Sequence, residues 1–384
     1  MKHDIKIVIG ANFGDEGKGL MADYFAHEAI SQGKNCVVCL YNGGAQRGHT
    51  VETSEGIRHV FHHFGSGTLA GAATYFSPDF LLNPMTFHTE WNELADIKIR
   101  PIVYASPACR ITTPFDMILN QLKEISRGSH KHGSCGMGIW ETIRRNRCGF
   151  SFDLRQACSM SDQKIRDMLY RIRDVYFIDR IQAYNIDIPL SWRDIIWNEQ
   201  LISNYIDDVR FMQSAISTHY NVYESIIFEG GQGLLLSQDN IDYAPHLTPS
   251  YTGARDPMRI IEETFDVSDV NIEACYVSRT YITRHGAGRL DHECSKNDLN
   301  PSIEDFTNIF NPHQDSLRYA PLYPRELKQR IALDCITSGV LDRDCKVSVA
   351  FTHTNEMKPP ATYVDGFDCI YASDNKTRNS VKRL

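Results

Sequence analysis

Ile5-Lys-Ile-Val-Ile9-Gly10-Ala-Asn-Phe-Gly14-Asp15-Glu16-Gly17-Lys18-Gly19 stands near the start of the chain, and its reading decides the fold. The β-branched run Ile5–Ile9 reads as a strand, and Gly10 ends it in a turn. A polar glycine-rich segment follows, then a helical stretch from Gly19 to about Ser31. A second strand, Cys36 to Tyr41, ends in another glycine-rich loop. Strand, glycine loop, helix and strand form the opening of a parallel α/β sheet, whose ligands bind at the carboxyl ends of strands.

Outward from this opening the pattern continues. A strand near Pro101–Ala105 precedes a helix from about Pro114 to Ser126. Ser161 to Tyr223 is helical in pattern and holds no strand-plus-glycine signal. Strands resume at Ser225-Ile-Ile-Phe228-Glu-Gly-Gly-Gln232-Gly233, at Ala274–Arg279 and at Lys346–Phe351, the last running into Thr352-His353-Thr354-Asn355. The expected architecture is α/β: one domain over 1–384, a single large mainly parallel sheet flanked by helices, with a helical insertion over 155–223.

The 384 residues are 42% hydrophobic and 23% charged, which excludes a disordered or collagen-like chain. Forty basic against 48 acidic residues leave a net charge of −8, so a non-specific nucleic-acid partner is not expected. No run approaches the ~18 apolar residues of a membrane helix. Met1-Lys-His-Asp4 carries no apolar signal core, so the expected location is cytoplasmic with no membrane partner. Eleven scattered cysteines argue against a disulfide framework. Cys36 and Cys39 form a C-x-x-C inside an apolar strand, without a second such pair to complete four zinc ligands, and read as core.

The first loop offers backbone N–H groups to an anion at a helix N-terminus. It is not a Walker A loop: the spacing from Gly10 to Lys18 is two residues too long, and Gly19 stands where Ser or Thr would hold Mg²⁺. Asp15 lies inside the loop instead, where a carboxylate beside phosphates invites a hard cation. The second loop, Asn42-Gly-Gly-Ala-Gln46-Arg47-Gly48-His49-Thr50, places a histidine at a strand's carboxyl end, where it can serve as acid or base.

Gly14-Asp-Glu-Gly-Lys-Gly19 followed by Gly43-Gly-x-x-x-Gly48-His-Thr50 resembles the adenylosuccinate synthetase family. Matches continue through Gly133-Ser-Cys-Gly-Met-Gly138, Phe228–Gly233 and Thr283-Arg284-His-Gly-Ala-Gly288. The resemblance implies that a carboxylate removes the purine N1 proton, the 6-oxyanion takes a γ-phosphate, and aspartate's amine displaces phosphate. It makes Asp15 the base and an Mg²⁺ ligand with the Gly48 carbonyl, and His49 the group that steadies the phosphoryl and acts as acid. Gly14, Glu16, Gly17, Lys18, Gly19, Gly48, His49 and Thr50 would hold the nucleoside triphosphate. On the purine monophosphate side stand Asp15, Gln46, Gln232 at the 6-substituent, Thr248, and Ser134 or Cys135 at a phosphate-binding threonine. Arg147 falls at an arginine that reaches a neighbouring subunit's phosphate, which implies a homodimer.

Three departures refine the substrates. Asn355 stands where the family reads guanine with a carboxylate; its amide suits adenine instead, and Ala372-Ser-Asp-Asn375 replaces a second guanine-side motif, so the expected donor is ATP or dATP. Gln46-Arg47 replaces Asn-Ala in the loop facing the monophosphate. The aspartate-binding region is reduced to Asp315-Ser316-Leu317-Arg318-Tyr319, with Arg318 the best partner for a carboxylate or phosphate. Together with chain length these resemble the phage-type branch that acts on dGMP for 2-aminoadenine DNA, with the host cytoplasm as location. The alternatives are IMP with GTP, and a nucleotide-binding module without turnover.

Overall fold

The strands in chain order are β1 (His3–Gly10), β2 (Cys36–Leu40), β3 (His49–Glu52), β4 (Arg58–Phe61), β5 (Ala73–Phe76), β6 (Val103–Ala105), β7 (Ser225–Gly233), β8 (Val270–Arg279), β9 (Tyr281–Arg284), β10 (Arg318–Pro321), β11 (Cys345–Thr352), β12 (Cys369–Ser373) and β13 (Val381–Arg383). The computed structural model describes residues 2–128, 132–217, 221–304, 316–359 and 365–384; Asp315 lies outside the described residues. Nine strands form one sheet in the order β13-β12-β11-β8-β1-β7-β2-β5-β6. Every neighbouring pair is parallel except β12–β13. The large, mainly parallel sheet flanked by helices is therefore present. Short hairpins β3–β4 and β9–β10 stand outside it.

β1 lies at the sheet's centre between β7 and β8, and its Ile7, Val8 and Ile9 are fully buried, as a strand covered on both faces demands. Alternation sends Val8 into the core beneath the helix Lys18–Ser31, with Met21 and Phe25. Ile7 and Ile9 enter the opposite core, with Met258 of the helix Arg255–Thr264 and Ile331 of the helix Pro324–Thr337. The same alternation separates Cys36 from Cys39, one in each core. Both are buried and unpaired, and burial pushes the Cys36 thiol up to about 12. They pack as apolar residues.

Within the stretch read as helical lie Leu154–Ser159, Asp162–Arg171, Ile178–Ala183, Leu190–Ile196 and Glu199–Ala215, with a π-helical segment at Ile172–Phe177. The last helix buries Ile202, Tyr205, Ile206, Val209 and Met212 in the same core that Lys18–Ser31 covers. No helix among the described residues is long and apolar enough to cross a membrane.

His63 sits fully buried against Phe76, Phe80 and Phe87, with its Nε2 accepting the Asn83 N–H at 2.9 Å. Burial, with the Arg47 charge nearby, pushes it from 6.5 down to about 3. The unfolded chain therefore binds this proton first as pH falls, and stability present above pH 6.5 is lost toward pH 3, by at most ~1.4 kcal/mol per pH unit. His63→Gln keeps an acceptor without a titrating ring. Denaturant unfolding at pH 7, 5.5 and 4 should show a shallower loss for this variant; equal slopes would remove His63 from the account.

Candidate active site

The loop after β1 is pressed against the end of β7. A Cβ on Gly233 would stand 2.3 Å from the Asn12 carbonyl oxygen and 2.7 Å from the Gly14 nitrogen, so only glycine allows this backbone contact. Gly17, at φ 93°, turns the chain in the left-handed region directly before the helix starts at Lys18. The helix after β1 covers one face of the sheet and the helix Arg255–Thr264 after β7 covers the other. A crevice opens where such connections diverge.

Inside the loop, the buried Glu16 carboxylate accepts the N–H groups of Asn12 at 3.1 Å and Gly14 at 2.8 Å. Its Oε2 has no hydrogen-bond partner and lies 4.0 Å from Lys18 Nζ, which donates to the Gly14 carbonyl at 2.5 Å. Burial pushes Glu16 up and Lys18 down, each partly held back by the other. Asp15 is anchored by its backbone carbonyl, which accepts from Arg279 Nε at 2.6 Å. Its side chain is 40% exposed, and its Oδ2 lies 3.9 Å from His285 Nε2.

Across the crevice, His49 Nδ1 lies 2.5 Å from Oε1 of Glu229, a carboxylate with no exposure. Glu229 also accepts the Ser66 N–H at 3.0 Å, the Ser66 hydroxyl, and Arg47 Nη2 at 3.4 Å. Burial alone would raise Glu229, but Arg47, His49 and Ser66 overcome it and hold the carboxyl at about 2. Burial also pushes His49 down to about 4, despite Glu229. The pair is therefore a carboxylate and a neutral imidazole, with the proton assigned to Nδ1 by its partner. Nε2 is buried with no partner. Glu229 belongs to a motif quoted above, but sequence reasoning gave it no role; its signal is a carboxylate within an apolar strand, directly before two glycines.

A cleft of about 500 Å³ joins the two halves. Of the residues singled out in the sequence, Gly14, Asp15, Gln46, Gly48, His49, Cys135 and Gln232 line it, and Arg47 and His285 join them. Glu16, Gly17, Lys18 and Gly19 belong to the loop and the first helical turn beside it, and Thr50 to β3. Ser134 turns away from Cys135, its hydroxyl accepting from Asn120 at 2.8 Å. Thr248 is tied by its N–H to the Leu236 carbonyl at 2.9 Å. Arg147 lines a second cleft of about 360 Å³ with Arg110, Arg259, Asp79 and Asp256. Asn355 is exposed in the turn after β11. Arg318, on β10, donates to the Gly288 carbonyl at 2.6 Å and pairs with Glu293 at 3.0 Å; it does not line the first cleft.

Asp15 and Gly48 both face the first cleft and supply oxygen donors, the chemistry a hard divalent cation prefers. Among the described residues no group of three or more His, Cys, Asp or Glu forms a cage. That donor set fits Mg²⁺, which commonly takes one or two carboxylates and completes its shell with phosphates and water.

A glycine loop at a helix start, facing a histidine–carboxylate pair at the mouth of a parallel sheet, defines an enzyme of nucleotide phosphoryl chemistry. Residues 7–309 match the adenylosuccinate synthetase family, and the chain belongs to that family of C–N bond-forming ligases. It is 26% identical over 389 residues to the organellar chromatophore adenylosuccinate synthetase of Paulinella chromatophora, covering 91% of this chain and 79% of the relative. With the adenylosuccinate synthetase of Clostridium botulinum (strain Alaska E43 / Type E3) it shares 31% over 300 residues, or 75% of this chain and 65% of that enzyme's length. The fold is similar to fully ligated adenylosuccinate synthetase from Plasmodium falciparum, with a TM-score of 0.68 and 16% identity over 99% of this chain and 86% of the other. It is also similar to cyanophage S-2L succinoaminodeoxyadenylate synthetase, bound to dGMP and to dATP as energy donor, with a TM-score of 0.62 and 15% identity over 100% and 95% of the two chains.

Proposed function

We propose that this chain joins L-aspartate to C6 of dGMP. ATP or dATP drives the reaction through a 6-phosphoryl intermediate, giving 2-amino-2′-deoxyadenylosuccinate, ADP or dADP, and phosphate. The observation that carries the reading is the convergence of Asp15, His49 and Gln232 on one cleft. A purine 6-oxo group is an unreactive amide-like carbonyl and needs a better leaving group. Asp15 takes the N1 proton, O6 attacks the γ-phosphorus, and the amine of aspartate then displaces phosphate at C6. Gln232 hydrogen-bonds the 6-substituent. Neutral His49, held through Nδ1 by Glu229, presents Nε2 to the phosphoryl oxygens, whose charge favours the protonated ring. Mg²⁺ held by Asp15 and the Gly48 carbonyl would neutralise phosphate charge.

Three features support dGMP and an adenine donor. Asn355 stands at the family's guanine-reading carboxylate. The cyanophage neighbour was solved with dGMP and dATP. The third is His285: along a purine edge the C6 substituent, N1 and the C2 substituent follow in order, and His285 stands beside Asp15. Its buried Nδ1 has no partner and can accept from a 2-amino group. Arg147, with Arg110 and Arg259 in the second cleft, would serve a partner subunit's monophosphate in a homodimer in the cytoplasm.

Comparing kcat/KM for dGMP, GMP and IMP, each with ATP, dATP and GTP, tests the reading by phosphate release. dGMP with an adenine donor should lead, and IMP should fall by several powers of ten, because its missing 2-amino group leaves a buried acceptor unpaired. His285→Leu should narrow the gap between dGMP and IMP by at least ~10-fold. The retained Asp15 and the curated relatives favour a second reading, IMP with GTP, and that pair leading would establish it. Nucleotide binding with no phosphate release from any combination would make the chain a binding module.

A further inference from the structure

Arg47 is a buried cation with unused donors. Its side chain is 1% exposed, and among its nitrogens only Nη2 has partners, the Phe64 carbonyl and Glu229 Oε2. Nε and Nη1, with three N–H groups between them, have none among the described residues. A guanidinium keeps its charge in a protein, so burial cannot be relieved by losing a proton. Its counter-ion is also divided. Glu229 is shared among Arg47, His49 and Ser66, while Arg47 and Lys18 both act on the His49 ring as positive neighbours. Arg47 also disfavours the charge on Lys18 itself. Two cations thus flank a neutral imidazole in a cleft that Asp15 and Gln232 also line.

We propose that Arg47 is a catalytic residue that holds the transferring phosphoryl group through Nη1–H. The assignment rests on the reaction proposed above. In the first step the N1 proton goes to Asp15 and a lone pair of O6 forms the O6–P bond. The bond from phosphorus to the β,γ-bridging oxygen breaks, and its electron pair leaves on the nucleoside diphosphate. The charge of the phosphoryl oxygens persists throughout, and a fixed cationic N–H donor stays matched to it. In the second step aspartate's nitrogen forms the bond to C6 and gives up one proton to the departing phosphate, the C6–O6 pair leaves with that phosphate, and Arg47 stays on the resulting dianion. Glu229 orients both groups: one oxygen fixes the imidazole, and the other takes Nη2 and leaves Nη1 unclaimed.

Arg47→Ala should lower kcat by ~10²–10³ while KM for the monophosphate stays within about threefold, since an arginine acting on the phosphoryl works mainly in the transition state. Guanidinium ion at tens of millimolar should restore at least ~10-fold of the lost rate, a response that a purely structural role would not give. Arg47→Lys should recover only part of kcat, because a flexible, strongly hydrated ammonium does not reproduce the fixed planar guanidinium. If Arg47→Ala does not fold, Arg47→Gln, of similar length, is read against the same limits. Unchanged kcat, or a loss confined to KM with no guanidinium response, overturns the assignment while leaving the reaction standing. Absence of phosphate release by the unmodified protein with every purine monophosphate overturns the reaction, and the assignment with it.

Discussion

Asp15→Asn is expected to lower kcat for phosphate release by ~10²–10⁴, the usual worth of a positioned acid or base. Asparagine preserves the shape of the side chain and, through the unchanged main chain, the Arg279 contact to the residue 15 carbonyl. It removes both roles the proposed mechanism gives the carboxylate: taking the N1 proton and offering a charged oxygen to a cation. The Mg²⁺ concentration giving half-maximal rate should therefore rise together with the fall in kcat, by on the order of tenfold. The two effects separate the roles: a fall in kcat at saturating Mg²⁺ reports the base, and the shifted Mg²⁺ curve reports the ligand. Near-normal turnover at saturating Mg²⁺ would show that another group takes the proton.

Glu229→Gln should be costly twice over. The native carboxylate has no exposure and faces Arg47, His49 and Ser66 at once. Neutralising it leaves a guanidinium buried without its counter-ion, which typically destabilises by about 3–5 kcal/mol. The glutamine amide can also favour the wrong imidazole tautomer, and losing an orienting carboxylate of this kind reduces turnover by up to ~10⁴. The pH dependence carries a sign. Because Glu229 is held at about 2 in the fold against an ordinary value of 4.5, its stabilisation is complete above pH 4.5 and fades as pH falls toward 2. The unfolding free energies of wild type and variant should lie far apart at pH 7 and converge in acid. Parallel curves, or a variant as stable as wild type at pH 7, would show that the ion pairs around residue 229 contribute little.

The centre of the sheet is legible in the sequence because its strands are long apolar runs. β1, β2, β7, β8 and β11 each carry an apolar run, and the first three lead into glycine-rich turns. β5, Ala73–Phe76, was not legible, although it fills the place between β2 and β6: it is short and lacks the apolar run that marks Pro101–Ala105 at the still shorter β6. The hairpins β3–β4 and β9–β10 escaped for the same reason. At the site, the two glycine loops stand out locally, since tight backbone approach and the left-handed turn leave a signature in residue type. Glu229 does not, because its meaning lies in an imidazole 180 residues away. Arg47 was visible as a change of residue type, but its depth and its idle donors belong to the packing alone.

Glu16 gives the phosphate loop an occupant of its own. Its carboxylate already holds the amides of Asn12 and Gly14, the kind of donors the loop would turn toward an incoming phosphate. On the proposed reading, a triphosphate would arrive as a competitor to this tethered anion. The measured dissociation constant is then the intrinsic one divided by the fraction of loops standing open. Ligands with little charge would lose this contest and a fully charged triphosphate would win it, so the loop would sort nucleotides by phosphate number before any base is read.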